Sequence, residues 1–349
     1  MIIDLAHGLS ERGHEVAIYA AEGSVVDGLN VSEIRVEPQA ADAAIHTDVP
    51  VAKGAQRALR RGFGRLYSQL RADEPDVVSQ HAFDAPAIEL ADGLAVLHTL
   101  HLPPIGDVVA AARATTAPLA AVSHAAAQVW RKVGVPIRYV LPNGVPARTV
   151  ADLAVMPRAL IAGRISPEKG TAIAIRVARQ SGLAPLVVGD AYDSEYFARE
   201  VEPLLKPGEF IGPVPRAHLF ELMARSAVLL MPVRWDEPFG LVAAEAQMAG
   251  CPVVAYRRGA LPEVVLDGIG GFLVEPENEP GLVGAGRQAL GLDRRHIRSR
   301  AQRKLGLAAM IDAYENVLTA MGTARATWLP RRPARRRSHV PPAAVRGPL

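Results

Sequence analysis

Short apolar runs alternate with helical stretches along almost the whole chain, and that alternation limits the fold more than any other feature. Leu94 to His101, Leu119-Ala-Ala-Val122, Ile137 to Leu141, Arg158-Ala-Leu-Ile-Ala162, Pro185-Leu-Val-Val-Gly189 and Val228-Leu-Leu-Met-Pro232 each read as a strand that ends near Gly, Pro or Ser. Helical stretches stand between and beside them, among them Gln56 to Ala72, His124 to Val133 and His218 to Ala224. Neighbouring parallel strands need a crossover of a dozen or more residues, which a helix supplies. The expected class is therefore α/β, with doubly wound parallel sheets. In such sheets ligands sit beyond the carboxyl ends of the strands, so the loops at those ends carry the chemistry.

The chain has 349 residues, enough for two domains of ordinary size. Hydrophobic residues make up 49% and charged ones 21%, which supports a large core and excludes a disordered chain. The single cysteine, Cys251, excludes a disulfide framework, fits a reducing cytoplasmic setting and reads as core. No apolar run reaches the ~18–20 residues of a membrane span, and charges through residues 1–20 argue against a secretory signal. The formal net charge is +3, but seven arginines and no acid follow Met321, so residues 1–321 carry −4. The body therefore does not read as a nucleic-acid binder. Residues 322–349 are expected to be a disordered basic tail. Its cluster Arg335-Arg336-Arg337 allows weak contact with anionic lipid, against the plainer reading of a solvated tail.

The densest stretch runs from Glu237-Pro-Phe-Gly-Leu-Val-Ala-Ala-Glu245 to Val254. Pro238 suits a helix entrance, Gly240 lets a backbone approach a ligand, and Leu241 to Met248 is built of helix formers. Gly250 and Pro252 end the helix, and Val253 starts a buried strand. A helix N-terminus after a glycine loop is an anion site, because free N–H groups and the helix dipole point outward there. Carboxylates at Glu237 and Glu245 are acceptors for sugar or ribose hydroxyls. The competing reading is a helix with two solvated glutamates. A second turn, Gly163-Arg164-Ile-Ser-Pro-Glu-Lys169-Gly170, joins a strand to a helix and offers a planar cation and a point cation to a diphosphate.

Together these stretches resemble the E-P-F-G-L-x-x-x-E and G-R-x-x-x-x-K-G motifs of the retaining glycosyltransferases of family 4. The resemblance spans nearly all of residues 1–321, and it is more specific in the second half than in the first. It implies a GT-B fold, two Rossmann-like domains facing a cleft. The expected divisions are an acceptor-side domain over 1–147, a nucleotide-sugar domain over 148–300, a helix over 301–321 that braces the first domain, and the tail. The implied reaction is metal-independent transfer of a sugar from a nucleoside diphosphate sugar, with UDP-glucose as a guess, to an unidentified acceptor. No D-x-D motif or His/Cys cluster calls for a metal.

By the same resemblance, Arg164 and Lys169 neutralise the diphosphate, aided by N–H groups at Phe239, Gly240 and Leu241. Glu237 holds sugar hydroxyls, and Glu245 holds ribose hydroxyls. His101, at a strand end, stands beside the sugar, whereas His98 reads as packed core. Phe210 to Val214 is expected as a strand and turn that holds the base at Val214. The loops around Gly259–Glu263 and Gly270–Pro276 read as scaffold, with Glu263 as a further candidate. The family places a strand and a glycine-rich loop before the helix at Ile2 to Leu9. Neither is present here, so a parallel sheet missing a central strand is expected, whether from a misassigned start or real loss. Residues 21–55 have no clear pattern. Two other functions fit the residues: an inactive relative that binds nucleotide only, and a sugar-nucleotide epimerase or hydrolase of the same fold. Oligomeric state is left open.

Overall fold

The computed structural model describes residues 1–38, 40, 53–148 and 154–328. In the second half, β7 (Met156–Ala162), β8 (Ala184–Val188), β9 (Ser226–Met231), β10 (Val253–Tyr256) and β11 (Gly271–Val274) follow two earlier groups of strands. They form one parallel sheet in the order β11-β10-β9-β7-β8. Its central strand β9 is buried along its whole length, as expected of a strand covered on both faces. Helices Thr171–Gln180 and Glu279–Ala289 cover one face through Ile175, Val177, Leu282 and Ala285. Helices Arg216–Arg225 and Leu241–Met248 cover the other through Met223, Ala243 and Ala246.

The first half holds β3 (Val78–Gln80), β4 (Val96–Leu100), β5 (Leu119–Ala121) and β6 (Ile137–Val140) in a second parallel sheet of that order. Two strands, β1 (Ala17–Ala21) and β2 (Asn30–Ile34), pair in parallel with each other as a separate sheet. Among the described residues no strand joins β1 to β3. Tyr19 of β1 and Val78 of β3 nevertheless pack on one cluster with Tyr67, Leu70 and Val96.

The two halves share one apolar core. Leu100, Trp130 and Val145 of the first belong to the same cluster as Leu229, Phe239 and Ala243 of the second. The chain then returns. Helix Arg294–Leu305 packs Ile297 and Ala301 inside, and after Gly306 helix Leu307–Trp328 crosses to the first half. There Met310, Ile311, Tyr314 and Leu318 pack on Leu5, Leu97, Ala120 and Leu141. The crossing point explains Gly144, because a Cβ there would stand 2.9 Å from the Leu307 Cα.

Several expectations shift. The strand expected over Phe210–Val214 does not form. The segment runs beside the edge strand β8 for three residues only: Phe210 bridges Val187, Val187 N donates to the Glu209 carbonyl at 2.7 Å and Ile211 N to the Val187 carbonyl at 3.2 Å, and the chain turns away at Gly212 in a left-handed conformation (φ 69°). The run His14 to Ala20 reads in the sequence as a strand, and the first strand starts three residues later, at Ala17, after a turn at Gly13 (φ 91°). The unassigned 21–55 contains β2 and the start of helix Lys53–Asp73. The expected tail is helical as far as Trp328, since no proline interrupts the run before Pro330. The rest of that tail, including Arg335 to Arg337, lies outside the described residues.

Candidate active site

The Lys169 turn and the Glu237 loop lie at the carboxyl ends of β7 and β9 and are stitched together by backbone. Arg234 N donates to the Glu168 carbonyl at 2.7 Å. Gly170 is left-handed (φ 69°), and an added Cβ would lie 2.2 Å from the Pro232 carbonyl oxygen. On the far side of Glu237, Ala260 N donates to the Glu237 carbonyl at 2.8 Å, and Gly259 leaves no room for a side chain. These contacts bring Lys169 Nζ to 2.8 Å from Glu237 Oε2. The indole of Trp235 adds to the pair: its Nε1–H donates to the same oxygen at 3.0 Å, and its ring centroid lies 4.5 Å from Lys169 Nζ. Glu237 Oε1 accepts no hydrogen bond among the described residues.

A cavity of about 300 Å³ opens over this cluster, between the halves of the molecule. Its wall includes Gly163, Arg164, Lys169, Glu237, Phe239, Gly240 and Leu241 from the second half, and His101, Leu102 and Asn143 from the first. Gly240 precedes helix Leu241–Met248 with φ 90°, which turns the helix N-terminus toward the cavity. Arg164 is half exposed and lies over the Tyr192 ring at 4.8 Å.

His101 enters from the end of β4. Its Nε2 meets His81 Nδ1 at 3.0 Å, and His81 Nε2 meets Ser79 Oγ at 2.9 Å. Burial pushes both imidazoles well below the ordinary histidine range, so both are neutral near pH 7. Trp130 Nε1 donates to the Leu102 carbonyl at 3.0 Å and so fixes the loop after His101. His98 is packed core, as expected: Nδ1 meets Gln80 Oε1 at 3.0 Å, and burial pushes its pKa down to about 4. Cys251 is core as well, its thiol pushed up to about 11 by burial.

Two of the expected site residues lie off the cavity wall. Glu245 sits on the helix behind Leu241, paired with Arg216 at 2.6 Å, and Arg216 also approaches Asp4 of the first half at 3.7 Å. Val214 packs against the apolar core. Glu263 has a structural role. Its carboxylate accepts from His124 N at 2.9 Å and Ala125 N at 2.7 Å, capping helix His124–Lys132 of the opposite half. Next to it, Ser123 caps the same helix and donates to the Pro238 carbonyl at 2.7 Å. The sequence reading missed Trp235 and His81. An indole two residues before Glu237 was the available signal for the first, and the histidine closing β3 for the second.

Among the described residues, no group of three or more His, Cys, Asp or Glu is placed to hold a metal ion, and no helix is long and apolar enough to cross a membrane.

The chain resembles known proteins along most of its length. A model described as "Glycosyltransferase Family 4" matches residues 1–148, and one described as "Glycosyl transferases group 1" matches 156–304. A lipopolysaccharide 1,2-N-acetylglucosaminetransferase of Salmonella typhimurium is 29% identical over 48% of this chain and 48% of its own. A glycogen synthase of Mycobacterium tuberculosis is 31% identical over 43% of this chain and 39% of its own. The match thus spans half or less of these curated relatives. Among solved structures, AviGT4, a glycosyltransferase involved in avilamycin A biosynthesis, superposes with TM-score 0.69 at 24% identity, covering 92% of this chain and 88% of that one. Anabaena HepE, in complex with UDP and glucose, superposes with TM-score 0.70 at 18% identity, covering 91% and 95%. With two family models matching either side of the cleft and the GT-B arrangement in between, the chain belongs to the family 4-like glycosyltransferases.

Proposed function

We propose that the chain transfers a sugar from a nucleoside diphosphate sugar to an acceptor, with retention of anomeric configuration and without a metal ion. The observation that carries this reading is the meeting of Lys169, Arg164, Glu237, the helix N-terminus at Gly240 and His101 around one cavity. Negative charge grows on the departing diphosphate. Two cations and free N–H groups lie where they can stabilise it, and stabilisation of that kind usually contributes most to catalysis. Glu237 Oε1 faces the sugar hydroxyls, and neutral His101 offers a hydrogen bond without competing for the diphosphate charge. Glu245 would reach the ribose by exchanging Arg216 for the ribose hydroxyls. In this reading residues 1–147 take the acceptor, residues 148–300 take the nucleotide, and the protein works in the cytoplasm. UDP is the first nucleotide to try, because the HepE complexes hold UDP or UDP-glucose.

Calorimetric titration with UDP and with GDP tests the donor half, and Glu245→Ala should weaken whichever one binds. Product analysis with the matching nucleotide-sugar tests the reaction. A glycosylated acceptor supports transfer, whereas an epimerised sugar, free sugar alone, or binding without turnover rejects it in favour of an epimerase, a hydrolase or an inactive binder. Activity lost in EDTA and restored by a divalent ion rejects metal independence.

A further inference from the structure

Trp235 belongs to neither motif, yet it touches both charged partners of the site. Its Nε1–H donates to Glu237 Oε2 at 3.0 Å, the oxygen that also receives Lys169 at 2.8 Å, while Lys169 Nζ lies 4.5 Å from the indole centroid. The ring is half-buried against the shared core, so it is fixed from behind and lines the cavity in front. Before any ligand binds, the ammonium is held between a carboxylate and a π face, which keeps its charge inside the cavity.

A diphosphate would change this balance. Lys169 has one ammonium to offer, and turning it toward phosphate oxygens weakens its bond to Glu237. The indole N–H is then the one remaining side-chain donor on Glu237 among the described residues. We propose that Trp235 is a positioning residue: its N–H keeps Glu237 aimed at the sugar after Lys169 turns to the diphosphate, and its ring keeps Lys169 within reach beforehand. This rests on the function proposed above.

The two parts of the indole separate by substitution. Trp235→Phe keeps a ring beneath Lys169 and deletes the N–H. It should leave affinity for UDP within about twofold of wild type and lower affinity for UDP-glucose about tenfold, because a hydrogen bond to a charged group is lost only where the sugar reports on Glu237. Trp235→Ala should weaken UDP as well, by roughly threefold to tenfold, through loss of the cation–π contact. In a Glu237→Ala background, Trp235→Phe should change UDP-glucose affinity by less than about twofold, since the two residues act through one bond. Calorimetry on the full chain reads all of these. Equal losses for UDP and UDP-glucose in Trp235→Phe, no loss for either, or an undiminished loss in the Glu237→Ala background would overturn the role of Trp235 while leaving the functional reading in place. If wild type binds GDP instead, the same series is read with GDP and GDP-glucose; wild-type protein that binds none of UDP, GDP and their glucose conjugates would overturn both.

Discussion

At the scale of single residues the site is a problem of charge. Lys169 Nζ stands against Glu237 and the Trp235 ring, at the mouth of a cavity that also carries Arg164. Lys169→Ala should lower the transfer rate roughly 10²–10³-fold, by analogy with removal of an oxyanion donor; a loss below tenfold in steady-state kinetics contradicts its role. The histidines make a second prediction. His98 is buried and His81 and His101 half-buried, all as neutral imidazoles whose folded pKa values lie below the unfolded one. Between the two values the unfolded chain binds more protons, so their contribution is whole above about pH 6.5 and is lost as pH falls; for His98 the loss runs down to about 4. Asp84 acts in the opposite sense, since burial raises its carboxyl to about 6 and it gains on acidification. Three imidazoles outweigh one carboxyl. The melting temperature should hold steady above about pH 7 and fall between about 6.5 and 4.5. A melting temperature unchanged from about pH 7.5 to 5 contradicts neutral burial.

At the scale of elements, two helix starts do the positioning, and each needs a glycine. Gly240 and Gly170 both stand in the left-handed region at the N-termini of helices that face the cavity. Gly182 is also left-handed (φ 79°), but a Cβ there would meet nothing within 4 Å, whereas at Gly170 it would meet the Pro232 carbonyl at 2.2 Å. Gly182→Ala should therefore cost only the backbone strain, about 1–2 kcal/mol. Gly170→Ala should cost clearly more and should reduce donor affinity as well, because the clash pushes the Lys169 turn away from the Glu237 loop. Chemical denaturation of the two variants makes the comparison, and equal costs would count against the stitched turn.

At the scale of the whole molecule, the cavity exists only while the halves are held together. Glu263 and Ser123 tie helix His124–Lys132 to the loops around Pro238 and Ala260, and helix Leu307–Trp328 spans the return. Glu263→Ala should enlarge the radius of gyration measured by small-angle scattering and weaken donor binding roughly threefold, as a helix-end carboxylate is removed. An unchanged radius and affinity would show that the shared core alone sets the cleft. Ending the chain after Leu305 should leave the first half insoluble, because Met310, Ile311, Tyr314 and Leu318 complete its core.

Local periodicity was sufficient for the α/β class and for most strands and helices, and motif spacing singled out Arg164, Lys169, Glu237 and the Gly240 turn, which the fold gathers around one cavity, because each pattern depends on neighbours within a few residues. Ser123, a serine directly before the helical run that opens at His124, is legible as a cap for the same reason. What came from the tertiary structure are pairings between distant parts of the chain. Glu263 is separated by 139 residues from the helix it caps, and Lys169 by 68 from its partner Glu237. The His81–His101 contact and the engagement of Glu245 by Arg216 are of this kind too. No local pattern carries such information, since the free energy that selects these contacts comes from burying both halves in one core.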